Sequence, residues 1–540
     1  MRRRESSLPN RSLLRLMRMP SPARSRTLLA ATLAFFAAFL LIGVLVYDDY
    51  GMSWDEIPTR DFGVMNVTHA VSTAHALDSL RAEKGPAFER FGPLFEILLV
   101  RMEAVLHIRD FGAAFLMRHL VTFLTFYLGV VLFYLLCRRR FGSGIALLAS
   151  VCLVASPQLF SHAFYNTKDI SFLTGFVAAM LTLDVFVSKP TWRTILLHGV
   201  VTGMLIGTRI LGIFAMMLTA GAALVRRPTL RTLAHLVGYG VVVVVMLPLV
   251  WPVLRIDPIG IVKDAVLGAT TNPYLKTNLF RGRQIPASEL PWDYLPTWIL
   301  ITTPYIVSTL LVVGTAVAVW SMRTLRSGLS QNQMRDLVVL CWFFLPVLGC
   351  VVLRPVMYDS WRHLFFVYPA LVYLGAVGME AIFGYAIERF GEVRRVAVTT
   401  GLTSLVLLCL APVVWFMVAN HPFEHIYFNR FAGRDMQEIK SRFELDYWGL
   451  SYRKALEYVV ATDSASKLRI VVANFPGAVN VLMLQPRDRA RILMVGPNEP
   501  ANYFITNYRY HPEPYPYSHE VFSVRVGNAS IVSVFGAARQ

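Results

Sequence analysis

Apolar residues in this chain come in runs of membrane-spanning length, parted by short polar or basic stretches, and the runs stop near residue 420. A hydrocarbon layer about 30 Å thick is crossed by roughly 20 apolar residues in a helix. Runs of that kind fall at 28–47, 112–136, 142–157, 170–187, 233–252, 297–320, 337–353, 363–386 and 397–418. The stretch 195–225 is too long for one crossing and carries Gly203, Gly207, Arg209 and Gly212 at its middle. It predicts two short helices with a break, which brings the expectation to about eleven transmembrane segments. The first run is too long for a cleavable signal peptide and lacks a small-residue cleavage site.

Beyond residue 420 the period changes. Ser451–Thr462 has the spacing of an amphipathic helix. Leu468–Ala473, Ala490–Val495, Ala501–Tyr508, Val521–Val526 and Ser530–Phe535 read as strands bounded by turn signals, the last two joined across Gly527-Asn528. Tyr508–Tyr517, with three prolines, predicts a rigid loop. The expected fold class is thus an α-helical polytopic membrane protein with a small C-terminal α/β domain. Its parts are a basic segment at 1–27, a transmembrane domain at 28–420 and a mixed domain at 421–540.

Composition agrees and removes alternatives. Of 540 residues, 55% are hydrophobic and only 16% charged, where a soluble chain carries about a quarter charged. That excludes both a string of soluble domains and a disordered chain. The net charge of +18 would suit a polyanion partner, but its distribution points elsewhere. Eight arginines lie within the first 27 residues, and others cluster at 138–140, 226–227 and 394–395, between apolar runs. Basic loops mark the cytoplasmic side, so the N terminus and the loops at 138–141, 188–194, 226–232, 321–336 and 387–396 are expected there. The loops 48–111, 158–169, 253–296 and 354–362, and the tail, are expected on the outer face. No nucleic-acid partner is called for. The five cysteines lie in or beside apolar runs and imply no disulfide framework.

Three outer constellations carry chemistry. The first is Trp54-Asp55-Glu56, close after the first span. Aromatic and acidic residues there also fit an interfacial belt, yet adjacent carboxylates beside a Trp can divide labour, one staying charged and the other drawn toward a base's working range. The second is Asn166-Thr167-Lys168-Asp169 at the mouth of a helix. Asp169 reads equally as a residue favoured by the helix dipole or as one that holds a hydroxyl or metal, and Lys168 as a phosphate contact. The third is Tyr358-Asp359-Ser360-Trp361-Arg362-His363, where the cations either snorkel to lipid phosphates or hold a phosphate leaving group. Arg209, in the break, is costly unless it faces a cavity or a partner. The chain has no Walker A sequence, no Gly-x-Gly-x-x-Gly after a strand, no His-Glu-x-x-His and no zinc-spaced Cys pair.

Taken together, these residues resemble the polytopic GT-C glycosyltransferases, and most closely family 39: protein O-mannosyltransferases and the aminoarabinose transferases that modify lipid A. The likeness rests on Trp54-Asp55-Glu56, on Asn166-Thr167-Lys168-Asp169-Ile170, and on Asp359 with Arg362-His363, and covers roughly 28–420. Phe428-Asn429 and Glu444–Gly449 also look like a stretch of bacterial members. The resemblance implies transfer of a sugar from a polyprenyl-phosphate carrier to an acceptor hydroxyl of a protein, lipid or glycan, with inversion. It implies Asp55 as base with Glu56 in reserve, Asp169 orienting acceptor or metal, and Lys168, Arg362 and His363 on the donor phosphate. Trp54, Tyr358 and Lys84 are the expected further substrate contacts, Lys84 matching the lipid A enzymes poorly. No nucleotide cofactor is expected, a divalent cation is left open, and the implied location is a bacterial inner membrane. The competing class is a lipid or sugar transporter, which places polar groups in interrupted helices near the midplane.

Overall fold

The computed structural model describes residues 22–68, 92–271, 276–323, 328–511 and 513–536. Lys84 and the basic segment up to residue 21 lie outside the described residues.

Among the described residues, seven helices are long and apolar enough to cross a membrane: Arg26–Val46, Phe111–Phe141, Thr167–Ser188, Leu230–Val250, Gln331–Leu353, Arg362–Phe390 and Glu392–Ala419. Two further helix pairs, Ser143–Val154 with Pro157–Tyr165 and Tyr294–Thr302 with Tyr305–Ser321, reach the same length but bend by 68° and 119°. The stretch read as a broken pair forms two shorter apolar helices, Trp192–Ile206 and Ile210–Arg226. The carbonyl freed at that break is used: Gly207 accepts from the Leu94 amide at 3.0 Å. A Cβ on Gly92 would stand 2.3 Å from the same oxygen, so only glycine admits this approach.

Burial sorts the helices. Phe111–Phe141, Thr167–Ser188 and Arg362–Phe390 have 50%, 67% and 61% of their apolar windows inside the protein, against 17–22% for Arg26–Val46, Leu230–Val250, Gln331–Leu353 and Glu392–Ala419. The first three form the centre. The others show apolar side chains such as Leu41, Val244, Val352 and Leu408 outward, as a lipid-facing helix does, because its backbone is already satisfied within itself. Tyr305–Ser321 meets Tyr368–Phe390 with no room for a side chain at Gly314, where a Cβ would fall 1.7 Å from the Leu374 carbonyl oxygen. Small residues let membrane helices pack backbone to backbone in this way.

One expectation changes in form. The stretch 158–169, read as a loop, is largely the helix Pro157–Tyr165, and all nine of its residues are buried. Pro157 at its first turn starts it, and Leu159 and Phe164 enter the core while its polar residues find partners in the chain beyond residue 420. Gln158 donates to the His425 carbonyl at 2.6 Å, and the Trp448 indole donates to His162 Nε2 at 3.2 Å.

The C-terminal part holds a five-stranded mixed sheet built from β3 (Leu468–Val472), β4 (Ile492–Met494), β5 (Tyr503–Thr506), β6 (Glu520–Val526) and β7 (Ala529–Gly536) in the order β4-β3-β5-β7-β6. The strands expected from the sequence are these five. Strand β3 runs parallel to β4 and β5, and the other pairs are antiparallel. The helix Tyr452–Thr462 packs Leu456 and Val459 against Ile470, Ile505, Val532 and Val534. A short hairpin, β1 (Thr277–Phe280) with β2 (Arg283–Pro286), joins it through a bridge between Phe280 and Phe443. Asn480 fastens this domain to the membrane part, accepting from the Met52 amide at 2.8 Å and donating to the Met52 carbonyl at 2.9 Å.

The Gly314 contact is testable by overpacking. Gly314→Val is expected to lower the melting temperature in detergent, at a cost of about 1–3 kcal/mol. Gly384→Val is the control, with nothing within 4 Å of its Cβ, and is expected to leave the melt unchanged.

Candidate active site

Four segments meet where the C-terminal domain rests on the helix bundle, and Arg362 is their centre. Its guanidinium is buried and lies 3.1 Å from Asp55 Oδ2, 3.2 Å from Asp359 Oδ2 and 3.4 Å from Asp169 Oδ2. It also lies over the rings of Trp448 and Tyr358, at 4.6 and 5.1 Å from their centroids, a favourable place for a cation. Each of the two buried carboxylates has a second cation: Asp169 is paired with Arg209 and Asp359 with Arg509. The side chain of Asp55 is 32% exposed, whereas those of Asp169, Asp359 and Arg362 are at most 5% exposed. Among these acids, Asp55 is the one open to solvent.

Local sequence explains the placement. Asp169 stands at the start of the helix Thr167–Ser188, where the Asn166 side chain caps the Asp169 amide at 3.1 Å and donates to Asp169 Oδ2 at 2.8 Å. The helix dipole favours a carboxylate there. Thr167 and Arg118 both donate to the buried Glu96, which fixes the same helix end from below. Lys168 feels the attraction of Asp55 and Glu96 and the repulsion of Arg362 and Arg209. Asp359 and Ser360 adopt left-handed backbone, with φ of 57° and 61°, and this tight turn folds Asp359 back to Arg362 three residues on.

The adjacent acids of the first constellation part company. Asp55 faces Arg362. Glu56 is buried and fully engaged, accepting from the Ser53 amide at 2.5 Å and facing His119 Nε2 at 2.8 Å. Trp54 forms the outer wall with Lys276 over its ring at 4.5 Å, Arg509 at 4.9 Å and Tyr510 edge-on at 6.3 Å. Tyr358 lies under Arg362 and edge-on to His363 at 4.8 Å, and burial pushes its phenol up to about 12. Among the described residues, His363 Nδ1 is buried without a hydrogen-bond partner. Lys84 is outside the described residues. Among the described residues, no group of three or more His, Cys, Asp or Glu side chains is arranged to hold a metal ion. The three aspartates converge on a guanidinium.

Sequence reasoning missed Arg509 and Trp448 as members of the site, and noted Asp359 only as part of a motif. Nothing local to Tyr508-Arg509-Tyr510 distinguishes its arginine from the other basic residues of the tail. The strap Glu444–Gly449 had a clearer signal, and its role is to position Trp448. Asp446 accepts from the amides of Gly449, Leu450 and Ser451 at 2.9–3.2 Å and faces His425 Nε2 at 3.1 Å. Burial opposes its charge, but His425 and Ser451 outweigh that and hold its carboxyl below the usual range.

A second ionic device braces the site. His421 lies between Glu424 at 2.6 Å and Asp49 at 2.9 Å, and Tyr50 donates to Glu424 at 3.1 Å. Burial works against an imidazolium here, yet the two carboxylates raise His421 above its ordinary 6.5. A group whose proton is held more tightly in the folded state stabilises below its unfolded value and loses that contribution as pH rises through the folded one. Melting curves of the wild type are therefore expected to fall as pH is raised from about 6 through the raised value, and His421→Gln is expected to flatten that slope. An equal slope in both proteins would refute the bridge.

Residues 102–255 match the model of the dolichyl-phosphate-mannose-protein mannosyltransferase family. That match bears out the resemblance to family 39 read from the sequence. No curated protein matches the sequence. Solved structures similar in fold include ArnT from Cupriavidus metallidurans bound to undecaprenyl phosphate, at 14% identity and a TM-score of 0.48, covering 96% of this chain and 99% of that one. Another is the oligosaccharyltransferase AglB from Archaeoglobus fulgidus, at 11% identity and 0.44, covering 88% and 70%. The arabinofuranosyltransferase AftD from Mycobacteria is similar at 11% identity and 0.42, covering 94% and 40%.

Proposed function

We propose that this chain is a membrane glycosyltransferase that moves a sugar from a polyprenyl-phosphate carrier to an acceptor hydroxyl, with inversion. The observation that carries the reading is the exposed Asp55 carboxylate held 3.1 Å from the buried Arg362. A site of this kind has a base next to a preorganised cation, as the transfer requires.

Asp55 takes the proton of the acceptor hydroxyl as its oxygen attacks the anomeric carbon. The bond from that carbon to the phosphate oxygen breaks on the opposite face, and polyprenyl phosphate leaves with its charge increased. A single displacement of this geometry inverts the anomeric centre. Arg362, Lys168 and His363 face the charge that develops on the leaving phosphate, and fixed donors aimed at developing charge supply a large part of such catalysis. Asp169 acts through Arg209 and Arg362, which it orients, and Glu56 is a brace for the first loop. The site belongs to the outer face of a bacterial inner membrane, with the N terminus cytoplasmic and the C-terminal domain outside, as the basic loops imply. The break at Gly207–Arg209 is the feature a transporter would need, but Arg209 joins the same cluster through Asp169, which favours the transferase.

The test is mass spectrometry of polyprenyl lipids from source cells carrying wild type or Asp55→Asn. One polyprenyl-phosphate sugar is expected to build up in the variant, which also names the donor. With purified protein, the variant is expected to lose about 10²–10⁴-fold in turnover, the usual worth of a positioned base. An unchanged lipid profile alongside demonstrable wild-type activity would sink the assignment of Asp55.

A further inference from the structure

The C-terminal domain does more than cap the bundle. Arg509 leaves the end of β5 and reaches into the site, where its side chain is 3% exposed and paired with Asp359. It also donates to the Tyr447 carbonyl and lies 4.6 and 4.9 Å from the ring centroids of Tyr510 and Trp54. The backbone on both sides of this contact is in a conformation that side chains rarely adopt. Tyr508 and Tyr510 have φ of 61° and 63°, and Asp359 and Ser360 have 57° and 61°. Four of the seven non-glycine residues with positive φ among the described residues thus lie in or next to one ion pair. Such residues persist only where surrounding structure over-determines them, and they gather at functional sites.

The charge arrangement says what the pair does. Asp359 is buried and shared between Arg509 and Arg362, whose distance to it is 3.2 Å. With Arg509 present, part of the Asp359 charge is balanced from the C-terminal side. Without it, a buried carboxylate is left with Arg362 as its one ion-pair partner within 4 Å among the described residues, and an under-compensated buried charge is costly. Arg362 would then be drawn toward Asp359 and away from Asp55, and less of its positive field would face a phosphate.

We propose that Arg509 is a positioning residue: through Asp359 it frees Arg362 to bind the donor phosphate, so that the C-terminal domain is part of the active site. This rests on the donor reading given above. Arg509 also borders a small crevice lined by Lys440, Glu444, Tyr508 and Tyr510.

The experiment is binding of undecaprenyl phosphate to the purified full chain in detergent, followed by tryptophan fluorescence, with Trp448 and Trp54 as reporters. Arg509→Met is expected to weaken binding at least tenfold, and Arg509→Lys to recover most of it. The double variant Asp359→Asn with Arg509→Met is expected to recover it as well, because the stranded carboxylate is gone. A merely structural role would show as a lower melting temperature with unchanged affinity of the folded fraction, which overturns the inference. So would a double variant no better than Arg509→Met, since the action would then not run through Asp359. Equal binding by wild type and Arg509→Met defeats this inference alone. A wild type that binds no undecaprenyl phosphate defeats the donor reading and this one together.

Discussion

A guanidinium cannot be left alone in a protein interior, and the site follows from how Arg362 is accommodated. Its burial between two aromatic rings removes it from water, and three aspartates from three separate segments compensate. Two of those aspartates are themselves buried and recruit Arg209 and Arg509 in turn. Breaking a buried pair by removing one partner strands the other, at a cost of several kcal/mol. Each member therefore constrains the next, and the network fixes positions that no single segment could fix. Asp55 is the exception. It touches Arg362 and keeps access to solvent.

The rest of the fold serves this arrangement. The buried helix Pro157–Tyr165 and the Asp446 strap hold Trp448 beneath Arg362. Glu96 anchors the start of the helix that carries Lys168 and Asp169, and the Gly92 approach satisfies the break that releases Arg209. Two of these devices, the bend before Pro157 and the break at Gly207, use backbone irregularity inside a membrane-sized bundle. Irregular backbone is tolerated at such depth only where protein covers it or a cavity receives it, and here it presents charged side chains to one place.

How much of this was legible depended on range. Apolar runs, the broken stretch at 195–225 and the alternation of the C-terminal strands are written in neighbouring residues, and most helices and the five C-terminal strands appear where those patterns put them, while the runs at 142–157 and 297–320 fall in helix pairs bent by 68° and 119°. Trp54-Asp55-Glu56, Lys168-Asp169 and Tyr358–His363 were legible as clusters of costly residue types at the ends of apolar runs. Their division was not. Asp55 and Glu56 are neighbours in sequence, but one faces Arg362 and the other His119, and only packing separates them. The helix at Pro157–Tyr165 looked like a loop because its His, Gln and Ser are polar, yet each of the three meets a partner beyond residue 420.

The sequence by itself determined a basic, apolar, helical membrane chain with a mixed C-terminal domain, and three clusters of acidic and basic residues at the ends of its apolar runs. Local hydrophobicity and turn chemistry suffice for that, because a membrane span and a strand satisfy their own period. Only the tertiary structure decided that Arg362 is the centre, that Asp169 belongs to Arg209, and that Arg509 completes the network from a separate domain. Asp359 and Arg509 are 150 residues apart. Charge compensation in a dry interior acts through space, and nothing in the order of residues says which distant carboxylate a buried cation will meet.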